Sequence, residues 1–203
     1  MSGSGGAEGP RTSLAGRLQT RLERFYRLEP LPDVDDFAVP TEPGGRETVF
    51  VRETQGDVEV AVSLPPVGLS PPRGEVSLDV LCQVVEGVSH FVYLADRIRD
   101  ERPMTRLELE LQAEVDKFVI VGFAALAHPD RKAAWRLVSR LYEGVRFLHE
   151  AGTEEGERYR IANDLAAKFC ARLASTVVPN ARERFQRFHR EGQEEKLRLA
   201  LAA

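Results

Sequence analysis

Residues 76–126 have the sequence VSLDVLCQVVEGVSHFVYLADRIRDERPMTRLELELQAEVDKFVIVGFAAL. Apolar residues recur at helical spacing on both sides of a short proline-containing segment. Ser77 is a good N-cap residue, and Thr105 followed by Glu108 forms a capping-box pattern. The stretch therefore predicts two long helices joined by a tight turn, the first ending near Asp100 and the second beginning at Thr105.

The second of these helices is apolar on two faces, which is typical of a helix in the middle of a bundle. One face carries Leu107, Leu111, Val115, Phe118, Val119 and Gly122, and the other carries Leu109, Ala113, Ile120 and Phe123. Asp116 lies between apolar positions of the second face, so we expect a semi-buried carboxylate with a polar partner.

The first helix carries a polar line opposite its broad apolar arc. A turn of about 100° per residue places Glu86, His90, Tyr93 and Arg97 on that line. A polar line opposite an apolar arc is usually the solvated face of a helix. We therefore expect these four side chains to face solvent.

The same line also suggests a metal or catalytic site. Glu86 and His90 are four residues apart, so their side chains can meet. Glu110 and Glu114 of the second helix would complete a set of metal ligands if they faced His90 across the helix pair. The chain lacks the Glu-x-x-His element of di-metal bundles, which favours a surface pair over a ligand pair.

The rest of the chain predicts an α+β fold that is mostly α, an antiparallel helical bundle with an N-terminal helix and a β-hairpin packed against it. Alternating Val58, Val60, Val62 and Leu64 indicate the second strand of that hairpin, and the prolines of residues 30–45 indicate a stretch without regular structure. The predicted elements are a disordered N-terminus at 1–11, a single domain at 12–176 with the hairpin at 46–64, helices at 130–150 and 153–175, and an amphipathic C-terminal helix at 180–203.

Two aromatic groups are candidate partner-binding residues. Trp135, Tyr142 and His149 recur at intervals of seven residues along the third predicted bundle helix. Phe185 and Phe188 form a thin apolar line on the C-terminal helix. Exposed aromatic residues are enriched at protein interfaces, so we expect these five residues to contact another protein.

Composition limits the class of protein. The 203 residues are 42% hydrophobic and 30% charged, with a net charge of -4, which is ordinary for a globular protein and argues against a nucleic-acid partner. The two cysteines have no zinc-site spacing, and we see no signal peptide and no apolar run long enough to span a bilayer. We expect a cytoplasmic protein without a cofactor, and the arginine-rich composition suggests a GC-rich bacterial genome.

No nucleotide-binding, hydrolase or zinc-protease motif is present in the sequence. The leading hypothesis is therefore a non-enzymatic protein–protein interaction module that binds another protein or itself. One alternative is a metal-binding or hydrolytic enzyme that uses the Glu86/His90 pair. A second alternative is a nucleic-acid-associated protein, for which the C-terminal helix supplies Arg182, Arg184, Arg187 and Arg190.

Overall fold

Two long antiparallel helices form the centre of the structure, as the sequence predicts. They are α2 (Leu78–Arg99) and α3 (Arg106–Ala127). The Ser77 hydroxyl accepts a hydrogen bond from the Val80 N–H at 3.3 Å, and the Thr105 hydroxyl accepts one from the Glu108 N–H at 3.1 Å. The structure is a computed structural model, which describes residues 12–54, 57–127, 131–174 and 178–202.

The other elements surround this pair. The helices are α1 (Leu14–Tyr26), α4 (Arg131–Tyr142), α5 (Glu154–Ala174), α6 (Val178–Arg190) and α7 (Gln193–Leu201). The strands are β1 (Ala38–Pro40), β2 (Thr48–Thr54) and β3 (Asp57–Leu64). The predicted fold class, α+β and mostly α, is confirmed.

The sheet contains the predicted hairpin and one further strand. β2 and β3 pair antiparallel, with Val49 opposite Val62, and the predicted turn includes residues 55–56, which lie outside the described residues. β1 pairs with β3 in parallel, so the prediction that residues 30–45 lack regular structure is wrong. Pro40 is tolerated because β1 is an edge strand, where a missing N–H disturbs no central ladder.

The hydrophobic core lies where α3 packs between α2 and α5, with α1, α6 and α7 closing one side. Phe185 and Phe188 are fully buried in this core, and the two rings pack against Phe169 with centroid distances of 5.5 and 4.3 Å. The expectation that Phe185 and Phe188 contact a partner is therefore wrong, because α6 turns its apolar line inward.

The other predicted aromatic group does not form a continuous strip either. α4 ends at Tyr142, short of the predicted residue 150, and Gly144 follows with a φ of +73°. Tyr142 is buried and Trp135 is 49% exposed. His149 lies in the following loop and stacks on Tyr159, with ring centroids 5.2 Å apart.

The C-terminal helix differs from the prediction because it is two helices. α6 ends at Arg190 and α7 begins at Gln193, with Gly192 as the N-cap of α7. Both helices pack against the bundle. The prediction of disorder at residues 1–11 lies outside the described residues.

Among the described residues, α2 is the one helix whose length and composition would allow it to cross a membrane. Within its most apolar window, 67% of the residues are buried inside the protein, and the core helix of a folded domain passes the same test.

Candidate functional site

A cluster of charged side chains lies between α2 and α3. We call it the cavity cluster and define it as Glu86 and His90 of α2 together with Glu110, Glu114 and Lys117 of α3. Glu86 and His90 are only 5% and 6% exposed, so the expectation of a solvated face is wrong. Glu110 and Lys117 of α3 contact His90 and Glu86 of α2. β2 and β3 pack against α2, and α5 packs against α3.

Three ion pairs organise the cavity cluster. The Lys117 ammonium lies 2.8 Å from Oε2 of Glu86 and 2.9 Å from Oε1 of Glu114. The His90 Nε2 atom lies 3.4 Å from Oε2 of Glu110. Glu110 thus faces His90 across the helix pair, as the metal-site alternative requires, whereas Glu114 pairs with Lys117 of its own helix.

Three of these residues converge on one point. One carboxylate oxygen of Glu86, one of Glu110 and an imidazole nitrogen of His90 all lie within 4.8 Å of one another. Within the described residues, His90 Nε2 is buried and forms no hydrogen bond, since its contact with Glu110 lacks hydrogen-bond geometry. This nitrogen can act as a ligand once His90 is neutral, because a metal ion displaces the proton from an imidazole that it binds.

Glu47, just before β2, adds a fourth carboxylate beside the cluster. Its Oε2 atom is also buried without a hydrogen-bond partner in the described part of the chain. Burial and the negative charge of Glu86 raise the pKa of Glu47 to about 8. Glu47 therefore carries a proton at neutral pH.

The pKa values of the other members show how the charges are balanced. Burial disfavours the charged His90 imidazole, but the Glu110 carboxylate outweighs it and raises the pKa of His90. Burial also disfavours the Glu86 carboxylate, but the positive charges of Lys117 and His90 outweigh it and lower the pKa of Glu86. Burial raises the pKa of Glu114, and Lys117 only partly opposes this rise.

The cavity cluster lies in the wall of a large cavity of about 1130 Å³. The sheet forms one side through β2, and the loop after α4 and the start of α5 form another. Arg158 of α5 enters the cavity beside the cluster, with its Nε atom 3.9 Å from Oε1 of Glu110. The cavity has room for a small organic molecule.

A second polar group lies between the same helices but away from the cavity. We call it the sealed network and define it as Tyr26, Ser89, Gln112, Asp116 and Lys196. Asp116 is 1% exposed and accepts hydrogen bonds from Tyr26, from Gln112 at 3.0 Å and from Ser89 at 2.6 Å. Asp116 has the polar partners that the sequence predicts, but it is fully buried rather than semi-buried.

Lys196 of α7 closes the sealed network. Its ammonium donates a hydrogen bond to the side-chain amide oxygen of Gln112. It also lies 4.6 Å from the ring centre of Tyr93 and 4.5 Å from that of Phe188. Burial lowers the pKa of Lys196 well below its ordinary value. The side chain is fully buried, so no ligand reaches it in this structure.

The remaining two residues of the predicted polar line lie on the side of the sealed network. Arg97 forms an ion pair with Glu108 at 2.8 Å, and the Tyr93 hydroxyl donates a hydrogen bond to the same carboxylate. Arg97 also donates to the Tyr93 hydroxyl and to the backbone carbonyl of Glu191 after α6. The predicted line therefore divides between two sites, with Glu86 and His90 at the cavity.

The basic residues of α6 are partly engaged within the chain. Arg182 donates to the backbone carbonyl of Arg24 at 3.0 Å, and Arg187 lies 2.7 Å from a Glu195 oxygen. Both cysteines, Cys82 and Cys170, are free of disulfide bonds.

No protein-family model, curated protein or solved structure matches this chain.

Glu47, Arg158 and Tyr159 also lie at the cavity, but they were not predicted from the sequence. Glu47 precedes a strand and the other two lie in the first turns of α5, so they reach the cavity only through the tertiary fold. The sequence did indicate the charged residues of α3, because Glu110, Glu114 and Lys117 recur on one side of a largely apolar helix.

Proposed function

We propose that this protein binds a divalent first-row metal ion through Glu86, His90 and Glu110. The convergence of their three ligand atoms within 4.8 Å at the cavity wall carries the proposal. The buried His90 nitrogen without a hydrogen-bond partner among the described residues supports it independently, because an imidazole nitrogen in such a position is a common metal ligand.

The donor set fits a metal ion of this class. Metal bonds of about 2.1 Å place neighbouring ligand atoms about 3 to 4 Å apart, so the three side chains need to close by about 1 Å. Imidazole and carboxylate together suit Zn²⁺, Fe²⁺ or Mn²⁺. Three protein ligands leave coordination positions open, which is typical of sites that bind a further molecule.

The carboxylates around the cavity are balanced by cationic side chains and by a proton. Lys117 pairs with Glu86 and Glu114, Arg158 lies 3.9 Å from Glu110, and burial together with the charge of Glu86 raises the pKa of Glu47 to about 8. A metal ion would supply positive charge at the same place and displace bound protons. Lys117 would still neutralise Glu114, its second partner.

A role in protein–protein interaction stays a prediction. Of its five candidate residues, Trp135 has a ring that is 49% exposed and His149 a side chain that is 38% exposed. Phe185, Phe188 and Tyr142 are buried.

The test is metal binding by protein purified without chelator. We expect about one metal ion per chain by elemental analysis, and saturable binding of Zn²⁺ or Mn²⁺ by calorimetry after metal removal. His90→Gln should weaken binding by at least about 100-fold, because loss of a ligand exceeds the 10–100-fold effect of an outer partner. His149→Gln is the matched control, since His149 lines the same cavity outside the ligand set, and it should bind the metal normally.

The absence of saturable binding by folded wild-type protein would overturn the proposal. Equal metal affinities of wild-type protein and the folded His90→Gln variant would overturn it as well. Circular dichroism and urea unfolding show whether each variant is folded before its affinity is compared.

A further inference from the structure

We infer that the cavity binds an organic oxyanion with an apolar body, whose charged oxygens lie between the metal and the Arg158 guanidinium. The inference rests on the proposed metal site and adds the chemical class of its ligand. It depends on Arg158, on the open coordination positions and on the apolar part of the cavity wall.

The guanidinium of Arg158 is incompletely satisfied beside the metal ligands. Its Nε atom is buried without a hydrogen-bond partner in the described residues, and the side chain is 12% exposed. Nε lies 3.9 Å from Oε1 of Glu110, and Nη2 lies 3.4 Å from Oε1 of Glu155, distances that leave both contacts weak. Because a guanidinium only donates hydrogen bonds, the group that satisfies it is an acceptor, and its forked geometry favours an oxyanion.

A metal held by Glu86, His90 and Glu110 favours the same ligand. With three protein ligands it would have coordination positions open to a further ligand, and anionic oxygens are good ligands for Zn²⁺ and Mn²⁺. Glu110 belongs to both arrangements, as a metal ligand and as the carboxylate next to Arg158. A carboxylate or phosphate group is therefore the chemistry that both the metal and Arg158 recognise.

The size and wall of the cavity indicate an apolar body on that oxyanion. A volume of about 1130 Å³ is far larger than a free phosphate ion requires. Phe50 and Leu148 line the cavity and are 58% and 68% exposed, together with the less exposed Leu94, Leu109 and Phe147. Large exposed apolar side chains beside a polar group are typical of a small-molecule site.

The test uses the Mn²⁺-loaded full chain and four probe molecules. Phenylphosphonate and benzoate each carry an oxyanion on an aromatic body, methylphosphonate lacks the body, and benzyl alcohol lacks the charge. Calorimetry gives the affinities, and broadening of the ³¹P resonance by Mn²⁺ shows that a phosphonate reaches the metal. We expect phenylphosphonate or benzoate to bind at least ten-fold more tightly than methylphosphonate and benzyl alcohol, and the preferred one identifies phosphate or carboxylate as the anion.

Variants of α5 test the role of Arg158. Arg158→Gln should weaken binding of the preferred probe by at least ten-fold when both proteins are saturated with Mn²⁺, and Arg158→Lys should restore part of that affinity because lysine keeps the positive charge without the forked geometry. Lys168→Gln is the matched control, since it removes one exposed positive charge from the same helix, where Lys168 pairs with Asp164.

The outcomes separate the two proposals. If the folded chain binds no Mn²⁺, the metal site fails and the present inference fails with it. If Mn²⁺ binds normally but neither aromatic anion binds, or if Arg158→Gln binds the probe as tightly as wild-type protein, the ligand class is wrong while the metal site stands. Benzyl alcohol binding as tightly as the anions would also overturn the inference.

Discussion

The cavity cluster and the centre of the sealed network (Ser89, Gln112 and Asp116) both lie on α2 and α3, yet their buried charged groups differ in how fully they are hydrogen-bonded. Asp116 of the sealed network accepts hydrogen bonds from three side chains and is closed off from solvent. Buried atoms of His90 in the cavity cluster and of the neighbouring Glu47 lack hydrogen-bond partners in the described part of the chain and lie beside a large cavity. A satisfied buried charge indicates a structural role, whereas an unsatisfied one beside open space indicates a ligand.

The largest expected change in the free energy of unfolding comes from replacing Asp116. Asp116→Ala removes the acceptor for the Tyr26, Ser89 and Gln112 donors, so it should lower the free energy of unfolding by about 4 kcal/mol. Glu110→Ala is the corresponding change in the cavity cluster and should cost only about 1 kcal/mol, because cavity water can hydrate the remaining groups. Urea unfolding of the two variants measures both values, and equal losses would remove the distinction between the two regions.

The next effect is a pH dependence that belongs to the sealed side of the molecule. His189 of α6 is fully buried and its ring stacks on that of Tyr26 of the sealed network, with centroids 4.2 Å apart. Burial, helped by the charges of Lys196 and Arg97, lowers the pKa of His189 from 6.5 to about 4, although Asp96 opposes the shift. Between these pH values the unfolded chain binds a proton at His189 and the folded protein does not. Stability from this group is therefore complete above pH 6.5 and is lost as the pH falls towards 4.

His189→Gln should remove that loss. Relative to wild-type protein, the variant should gain about 3 kcal/mol as the pH is lowered from about 6.5 to 4, since one pKa unit corresponds to about 1.36 kcal/mol. Asp116→Asn should change in the opposite direction, because burial raises the pKa of Asp116 from 3.8 to about 6. Unfolding free energies measured across this pH range test both signs, and parallel curves for wild-type protein and His189→Gln would contradict the prediction.

Metal addition should act on the cavity cluster. At a free metal concentration 100 times the Kd, Zn²⁺ or Mn²⁺ should raise the free energy of unfolding by about 2.7 kcal/mol, or the Tm by roughly 5–10 °C. His90→Gln should show no such rise, whereas His189→Gln should retain it because His189 is outside the ligand set. A rise of the same size in all three proteins would show that the metal acts elsewhere.

The smallest effect concerns the packing of α2 on the sheet. A methyl group at Gly87 would collide with the Leu64 side chain and lie 3.5 Å from Cβ of Glu47. Gly87→Ala should therefore lower stability by about 1 kcal/mol, because overpacking exceeds the gain in helix propensity. It should also weaken metal binding without changing the pH dependence of His189.

Gly192→Ala is the control for the Gly87 variant. A methyl group there meets no atom within 4 Å, and Gly192 is an N-cap without a side-chain hydrogen bond. We expect a loss of unfolding free energy of about 0.5 kcal/mol, because glycine is preferred to alanine at an N-cap. If Gly87→Ala is as mild as this control, the contact between α2 and the sheet is looser than the structure indicates.

The sequence predicted the features that depend on neighbouring residues. The caps at Ser77 and Thr105 placed α2 and α3 correctly, because a cap and an apolar repeat are local properties. The sequence also predicted that Asp116 is at least semi-buried, because α3 is apolar on both sides of that residue. The environment of Glu86 and His90 was predicted wrongly, because a helical wheel does not show which other elements cover a polar line.

The remaining errors have a similar cause. The Pro-rich segment forms β1 only because β3 offers it a free edge, and Phe185 is buried only because α6 lies across Phe25, Phe118 and Phe169. The positions of Glu47 and Arg158 at the cavity depend on the packing of β2 and α5. Contacts between residues this far apart have no periodic signature in one sequence.

The position of Lys196 on α7 has a consequence for the order in which the two regions form during protein synthesis. Every residue of the cavity cluster, and Arg158 beside it, leaves the ribosome before His189 and Lys196 do. The side-chain oxygen of Gln112 therefore gains its hydrogen bond from Lys196 only after the cavity residues have been synthesised. A nascent chain halted at residue 174 should contain the complete ligand set of the metal site but an unfinished interior.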